Sequence, residues 1–142
     1  MMKPLITKIC ICLLFVSSLL ITGCENNDVI QELTIQEKIE MLENNEWLIY
    51  NGDDANVMYK FADGKRFNSY KSEGVWHEGS TVSSADYMAE GDLLTMDFYF
   101  GNVYTYNIEF SCNNNIVKFY IDGELANNTL YKRNSNYKDC LE

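Results

Sequence analysis

From Trp47 onward apolar side chains return at every second position, and turn dipeptides break the runs. Asn51-Gly52, Asp63-Gly64, Gly101-Asn102 and Asp122-Gly123 each stand between alternating segments. A type I′ hairpin turn needs positive φ at both central residues, which Asn-Gly and Asp-Gly accept with least strain. The pattern predicts strands over 47–51, 56–62, 65–71, 74–82, 86–90, 93–100, 103–111, 115–121 and 125–133. Short strands joined by tight turns leave open edges unless the sheet closes on itself. The expectation is therefore a mainly β fold, an antiparallel up-and-down barrel of about eight strands, with a sandwich as the alternative. The lone proline, Pro4, lies far upstream and demotes no strand to an edge.

One short helix is expected ahead of the sheet. Thr34-Ile35-Gln36-Glu37 has the spacing of a capping box, in which the Thr34 hydroxyl and the Glu37 carboxylate each accept from the other residue's backbone N–H. The helix should run to about Glu43. Ile35, Ile39 and Leu42 form one apolar stripe, with Glu37, Lys38 and Glu40 turned away.

Alternation also assigns faces to the strands. Leu94, Met96, Phe98 and Phe100 share one face, and Tyr104, Tyr106, Ile108 and Phe110 share another. Val117, Phe119 and Ile121 fall together, as do Val57, Tyr59 and Phe61. Asp97, Asn107, Glu109 and Lys118 point the opposite way. No inward position carries a carboxylate or an imidazole, so general acid/base chemistry has no obvious home. An eight-strand barrel is just wide enough for its own side chains or one small ligand. A solid core and a cavity both stay open, and Phe98, Phe100, Tyr104, Tyr106 and Phe119 are the candidate ligand-lining residues. Tyr50, Tyr70, Tyr87 and Tyr99 are placed outward or at rims, where aromatic rings suit sugar or protein contact.

A net charge of −10 argues against nucleic-acid partners, because the only adjacent basic pairs, Lys65-Arg66 and Lys132-Arg133, sit among carboxylates. Catalysis is not expected either. His77 beside Trp76 has no serine or cysteine nucleophile motif near it. Asp53-Asp54 lacks the oxygen spacing and central glycine of a calcium loop, and Asn127-Asn128-Thr129 is given no role. No catalytic residue, metal or cofactor is assigned.

At the N-terminus, Lys3 and Lys8 precede an apolar stretch from Ile9 to Ile21, the pattern of a signal peptide. Spanning a bilayer takes about 20 apolar residues, more than this run offers. Ile21-Thr22-Gly23-Cys24 resembles the bacterial lipobox. The resemblance implies cleavage before Cys24, a lipid on its thiol and commonly an acyl chain on its amine, enough for stable anchoring. The organisation then reads as signal peptide 1–23, tether 24–33 and β domain 34–142. Glu25 after the cysteine does not resemble the inner-membrane retention signal of enteric bacteria, which favours the outer membrane. It partly resembles the surface-export signals of Bacteroidetes lipoproteins, and the periplasmic and surface faces both stay open.

Cys10 and Cys12 leave with the signal and Cys24 carries the lipid, so Cys112 and Cys140 remain in a compartment where disulfides persist. Paired, they would tie the C-terminal tail to a hairpin with roughly 3 to 4 kcal/mol of chain-entropy stabilisation. Free thiols are the alternative. Zinc would need a fourth ligand beyond these two and His77.

Trp47, Phe61-Ala62-Asp63-Gly64, Gly74-Val75-Trp76 and Leu130-Tyr131-Lys132-Arg133, in this order, resemble the bacterial lipocalin-like lipoproteins common in Bacteroidetes. Glu46 departs from the glycine that usually precedes the first tryptophan. The resemblance implies a calycin-like barrel on a lipid anchor, a fold that does not by itself fix a function. The expectation is a non-enzymatic envelope lipoprotein, membrane-bound through Cys24, that takes a small apolar molecule or a glycan. The alternative is an interaction or inhibitor module that meets an envelope protein through its outer tyrosines and acidic surface.

Overall fold

A computed structural model of the chain describes residues 32–49, 55–78 and 84–141. In chain order these form α1 (Ile35–Glu43), β1 (Glu46–Leu48), β2 (Val57–Ala62), β3 (Lys65–Ser72), β4 (Val75–Glu78), β5 (Ala85–Glu90), β6 (Leu93–Asp97), β7 (Val103–Ser111), β8 (Ile116–Ile121), β9 (Glu124–Lys132) and a 3-10 turn (Tyr137–Cys140). The expected signal peptide, its cleavage site and the lipidated Cys24 lie outside the described residues, as do Asn51-Gly52, Tyr50 and Asp53-Asp54.

Every strand pairing is antiparallel, and eight strands close into a barrel. Closure is made by β1, which joins β2 on one side and β9 on the other through Trp47↔Lys132 and Leu48↔Tyr131. The described part of the strand expected at 74–82, Val75–Glu78, is not a stave of this barrel. β3 is long enough to take two neighbours on one edge, with β5 against Lys65 and Arg66 and β4 against Ser69 to Ser72. β4 therefore hangs from β3 as a flap, and Gly74 belongs to the turn that precedes it.

Hairpin turns hold the register. Asp63 and Gly64 have φ of 51° and 71°, the left-handed pair of a type I′ turn, and they set Ala62 opposite Lys65 and Phe61 opposite Arg66. β6 stops at Asp97, short of the expected Phe100. Tyr99, Phe100 and Gly101 all turn left-handed there, with the Asp97 carboxylate accepting from the Tyr99 N–H at 2.7 Å. A strand cannot continue through successive positive φ values.

The helix begins as its capping box dictates: Glu37 N–H donates to the Thr34 hydroxyl and Thr34 N–H to the Glu37 carboxylate. It packs on β1 and β2. Its C-terminal turn is tied to the barrel by Trp47, whose indole N–H donates to Leu42 O at 3.0 Å, satisfying one of the carbonyls a helix end leaves over. One face differs from expectation. Lys38 is buried beside Ile35 and Leu42 and reaches Glu32 at 3.9 Å, its aliphatic stem covering apolar surface while the ammonium meets a carboxylate.

Two cores result. Inside the barrel, Trp47, Phe61, Leu94, Met96, Tyr106, Ile108, Val117, Phe119 and Leu130 pack with Ile35 and Leu42 of the helix. Outside it, Leu48, Ala55, Met58 and Ile116 pack under Tyr137. Leu48 and Met58 alternate with Trp47 and Tyr59, so they face outward, and the C-terminal turn folds back to cover them. A disulfide between Cys112 and Cys140 fastens that turn to the end of β7.

Candidate functional site

Alternation puts Arg66 inside the barrel. Its cross-strand partner is Phe61, and partners across a hairpin share a face, so a guanidinium enters an otherwise apolar interior. Only 6% of Arg66 is exposed. The guanidinium carbon lies 4.1 Å from the Tyr59 ring centre and 4.8 Å from that of Phe98, close enough for cation–π attraction from both. Burial draws its pKa below the ordinary arginine value, yet arginine stays protonated in proteins. Sequence reading noted Arg66 only as half of a basic pair. Its position two residues after Asp63-Gly64, opposite Phe61, is the signal that would have turned it inward.

Four of the five candidate lining residues come together here. Phe98 meets Tyr104 at 5.9 Å between centroids, Tyr104 meets Tyr106 at 6.4 Å, and Tyr106 meets Phe119 at 5.5 Å. Tyr104, between Phe98 and Tyr106 in this run, is 45% exposed. Phe100 does not line the interior: it stands at the tip of the β6–β7 hairpin with 100% of its surface in solvent. The space left among Tyr59, Arg66, Met96, Tyr106 and Phe119 measures about 10 Å³. Such a space holds about one water, whereas pockets for organic ligands run to roughly 300–1,000 Å³. This part of the barrel is a packed interior.

Larger concavities lie on the outer surface. β7 and β8 present Thr105, Asn107, Glu109 and Tyr120 on their solvent side, and with Leu93, Asp122 and Gly123 they line an open groove of about 530 Å³. Asn107 and Tyr120 are direct cross-strand partners. Burial, with the charge of Glu109 and a hydrogen bond to it, pushes the Tyr120 hydroxyl pKa up, so the phenol remains a donor at neutral pH. The groove thus offers an aromatic face, an aliphatic wall, two carboxylates, an amide and a hydroxyl. A second groove of about 410 Å³ runs between β4 and the C-terminal turn, with Trp76, Lys71, Arg133 and Tyr137 along it. Arg133 lies 5.5 Å from the Trp76 ring centre and is paired with Glu46.

The tyrosines assigned outward divide. Tyr70 is exposed on β3. Tyr87 instead packs on Phe61 at 5.6 Å and its hydroxyl donates to Glu43 at the helix end, so it belongs to the barrel–helix joint. Tyr99 sits in the β6–β7 turn. His77 is exposed on β4, opposite Tyr70. Among the described residues, no three His, Cys, Asp or Glu side chains are grouped to hold a metal, and no helix is long and apolar enough to cross a membrane.

Fold and surface together define a class: a small eight-strand antiparallel barrel, packed within and grooved without, preceded by one helix. Comparison with family models, with curated proteins and with solved structures finds no match to this chain.

Proposed function

We propose that this chain is a lipocalin-like envelope lipoprotein, held on the outer membrane by lipid on Cys24, that binds a glycan non-enzymatically along the β7–β8 groove. The observation that carries the reading is the lining of that groove. A pyranose has one apolar face of C–H groups and a rim of hydroxyls, and Tyr120 with Leu93 suits the face while Asn107, Glu109, Asp122 and Thr105 suit the rim. Of the two ligand classes that the sequence leaves open, a glycan fits better than an apolar molecule, because the space beside Arg66 is water-sized. Two carboxylates in the groove favour a neutral or cationic sugar over an acidic one.

Calorimetric titration of the mature protein with neutral oligosaccharides tests the reading. Tyr120→Ala should weaken binding about fivefold, given an aromatic contact worth about 1 kcal/mol. Asn107→Ala should weaken it less. Equal affinity in wild type and both variants would place the sugar elsewhere and sink this assignment.

A second reading rests on a different feature. Phe100 is fully exposed on a turn in which the Tyr99 N–H donates to the Asp97 carboxylate and the Asn102 amide donates to Tyr99 O, and Val103 is half exposed. A rigid aromatic tip is the kind of anchor a protein partner uses. Loss of a specific envelope partner on Phe100→Ser, with glycan binding intact, would favour the interaction module.

A further inference from the structure

The two outer grooves carry opposite charge. Glu109 and Asp122 line the one on β7 and β8, with no basic side chain among the described residues around it. Lys71, Arg133 and Lys138 line the one between β4 and the C-terminal turn, and no described carboxylate does. In a chain of 21 acidic and 11 basic residues, such a concavity runs against the composition. Like charges gathered on one surface repel, and an anion set among them relieves the repulsion.

Both walls are held in place. Lys71 and Trp76 are direct cross-strand partners in the β3–β4 hairpin, so both side chains leave the sheet on the same face. Trp76 is half-buried: part of it packs on the outer core, and the remainder lines the groove, with Arg133 at 5.5 Å from the ring centre. Among the described residues Lys71 forms no ion pair. Arg133 gives one nitrogen to Glu46, a carboxylate that it shares with Lys60. The other wall is the C-terminal turn, which the Cys112–Cys140 disulfide fastens to the end of β7. Along it stand the Asn134 amide and the Ser135 hydroxyl, which donates to Lys132 O and remains able to accept. Lys138 has an interaction of its own and contributes its charge alone.

We propose that this groove binds an acidic sugar, a pyranose that bears a carboxylate, with the carboxylate at Lys71 and Arg133 and the C–H face of the ring against Trp76. The Lys71 ammonium and the remaining guanidinium N–H groups are donors enough for both oxygens of one carboxylate. A groove of about 410 Å³ is in the size range of small-ligand sites. A sugar acid suits it better than an acidic peptide, because the cations stand beside a flat aromatic surface and partners for hydroxyls, which an Asp or Glu side chain leaves unused. The site is separate from the β7–β8 groove and does not depend on what that groove binds.

The test is calorimetric titration of the mature protein with trigalacturonate and with its methyl ester, which keeps the shape and removes the charge. In dilute buffer the acid should bind about tenfold more tightly than the ester, and the difference should shrink as sodium chloride is raised. Lys71→Gln should weaken binding of the acid about tenfold, the loss of one charge-assisted hydrogen bond, and leave the ester unaffected. Trp76→Leu should weaken both. Should Trp76→Leu fail to fold, Lys71→Gln alone decides, since Lys71 belongs to neither core. Absence of binding by the acid, equal affinity for acid and ester, or indifference of the acid to Lys71→Gln would overturn the proposal. Equal displacement by inorganic phosphate would also overturn it, by reducing the groove to a bare anion patch. Tighter binding of hexaglutamate would do the same, by assigning the groove to an acidic peptide. A neutral sugar held on β7 and β8 is untouched by Lys71→Gln, so each assignment can fail without the other.

Discussion

Glu46 stands where the lipocalin-like pattern carries a glycine, and the structure gives it work. Its carboxylate accepts from Lys60 at 2.9 Å and from Arg133, linking β2 to the end of β9 across the short β1. Burial raises its pKa, but the hydrogen bonds and charges of Lys60 and Arg133 outweigh that, and the group titrates below its ordinary value. A carboxylate whose folded pKa is depressed contributes stability above its unfolded pKa, about 4.3 for glutamate, and that contribution fades as pH falls through the folded value. Glu46→Gln should therefore cost about 1 kcal/mol at pH 7 and almost nothing near pH 2. Urea midpoints at the two pH values check this, and equal losses at both would remove the ionic account. Trp47, next in sequence, works by volume: it is wholly buried, edge-on to Phe110 at 5.9 Å, and its N–H reaches the helix.

Among the elements, the hairpins were the most legible and the C-terminal turn the least. Asp63-Gly64 and Asp122-Gly123 announce their turns because few residue pairs accept two positive φ values in succession. Nothing local announces that 137–140 folds back over Leu48, Met58 and Ile116, since four residues of 3-10 turn have no stabilising pattern of their own. Tyr137 and the disulfide supply it. Reduction of Cys112–Cys140, or Cys112→Ser with Cys140→Ser, should lower stability by roughly 3 to 4 kcal/mol through release of the loop in the unfolded chain. The barrel itself should survive, because its inner core lies on the other face of the sheet. Unchanged far-ultraviolet dichroism with a lower urea midpoint is the expected result; loss of the β signal would show that the outer core holds the barrel closed.

For the whole molecule, the prediction concerns where the domain resides. The proposed lipid on Cys24 would hold the protein on a bilayer, and among the described residues no helix is long and apolar enough to cross one. Cys24→Ser should move the protein from the membrane fraction to the soluble fraction and abolish incorporation of labelled palmitate, with the glycan affinity of the groove unchanged. Retention of the variant on membranes after a high-salt wash would refute lipid anchoring through Cys24.

What the sequence by itself determined was local. Alternation marked out nine strands to within a few residues, the capping box placed the helix start, and turn chemistry set the register of the β2–β3 and β8–β9 hairpins. These features follow from neighbours along the chain. Tertiary structure decided the rest. Only closure between β1 and β9 makes a barrel of the meander, and only the sharing of one β3 edge by β5 and β4 leaves β4 outside the ring. The left-handed run at Tyr99 and Phe100 takes Phe100 out of the interior, although periodicity alone would put it there. The groove at Tyr120 exists because three strands and a turn meet around it. The filling of the interior is likewise decided by how Arg66, Phe98, Tyr106 and Phe119 interdigitate across strands. Volume left between side chains depends on residues far apart in sequence, and a pattern of alternation carries no measure of it.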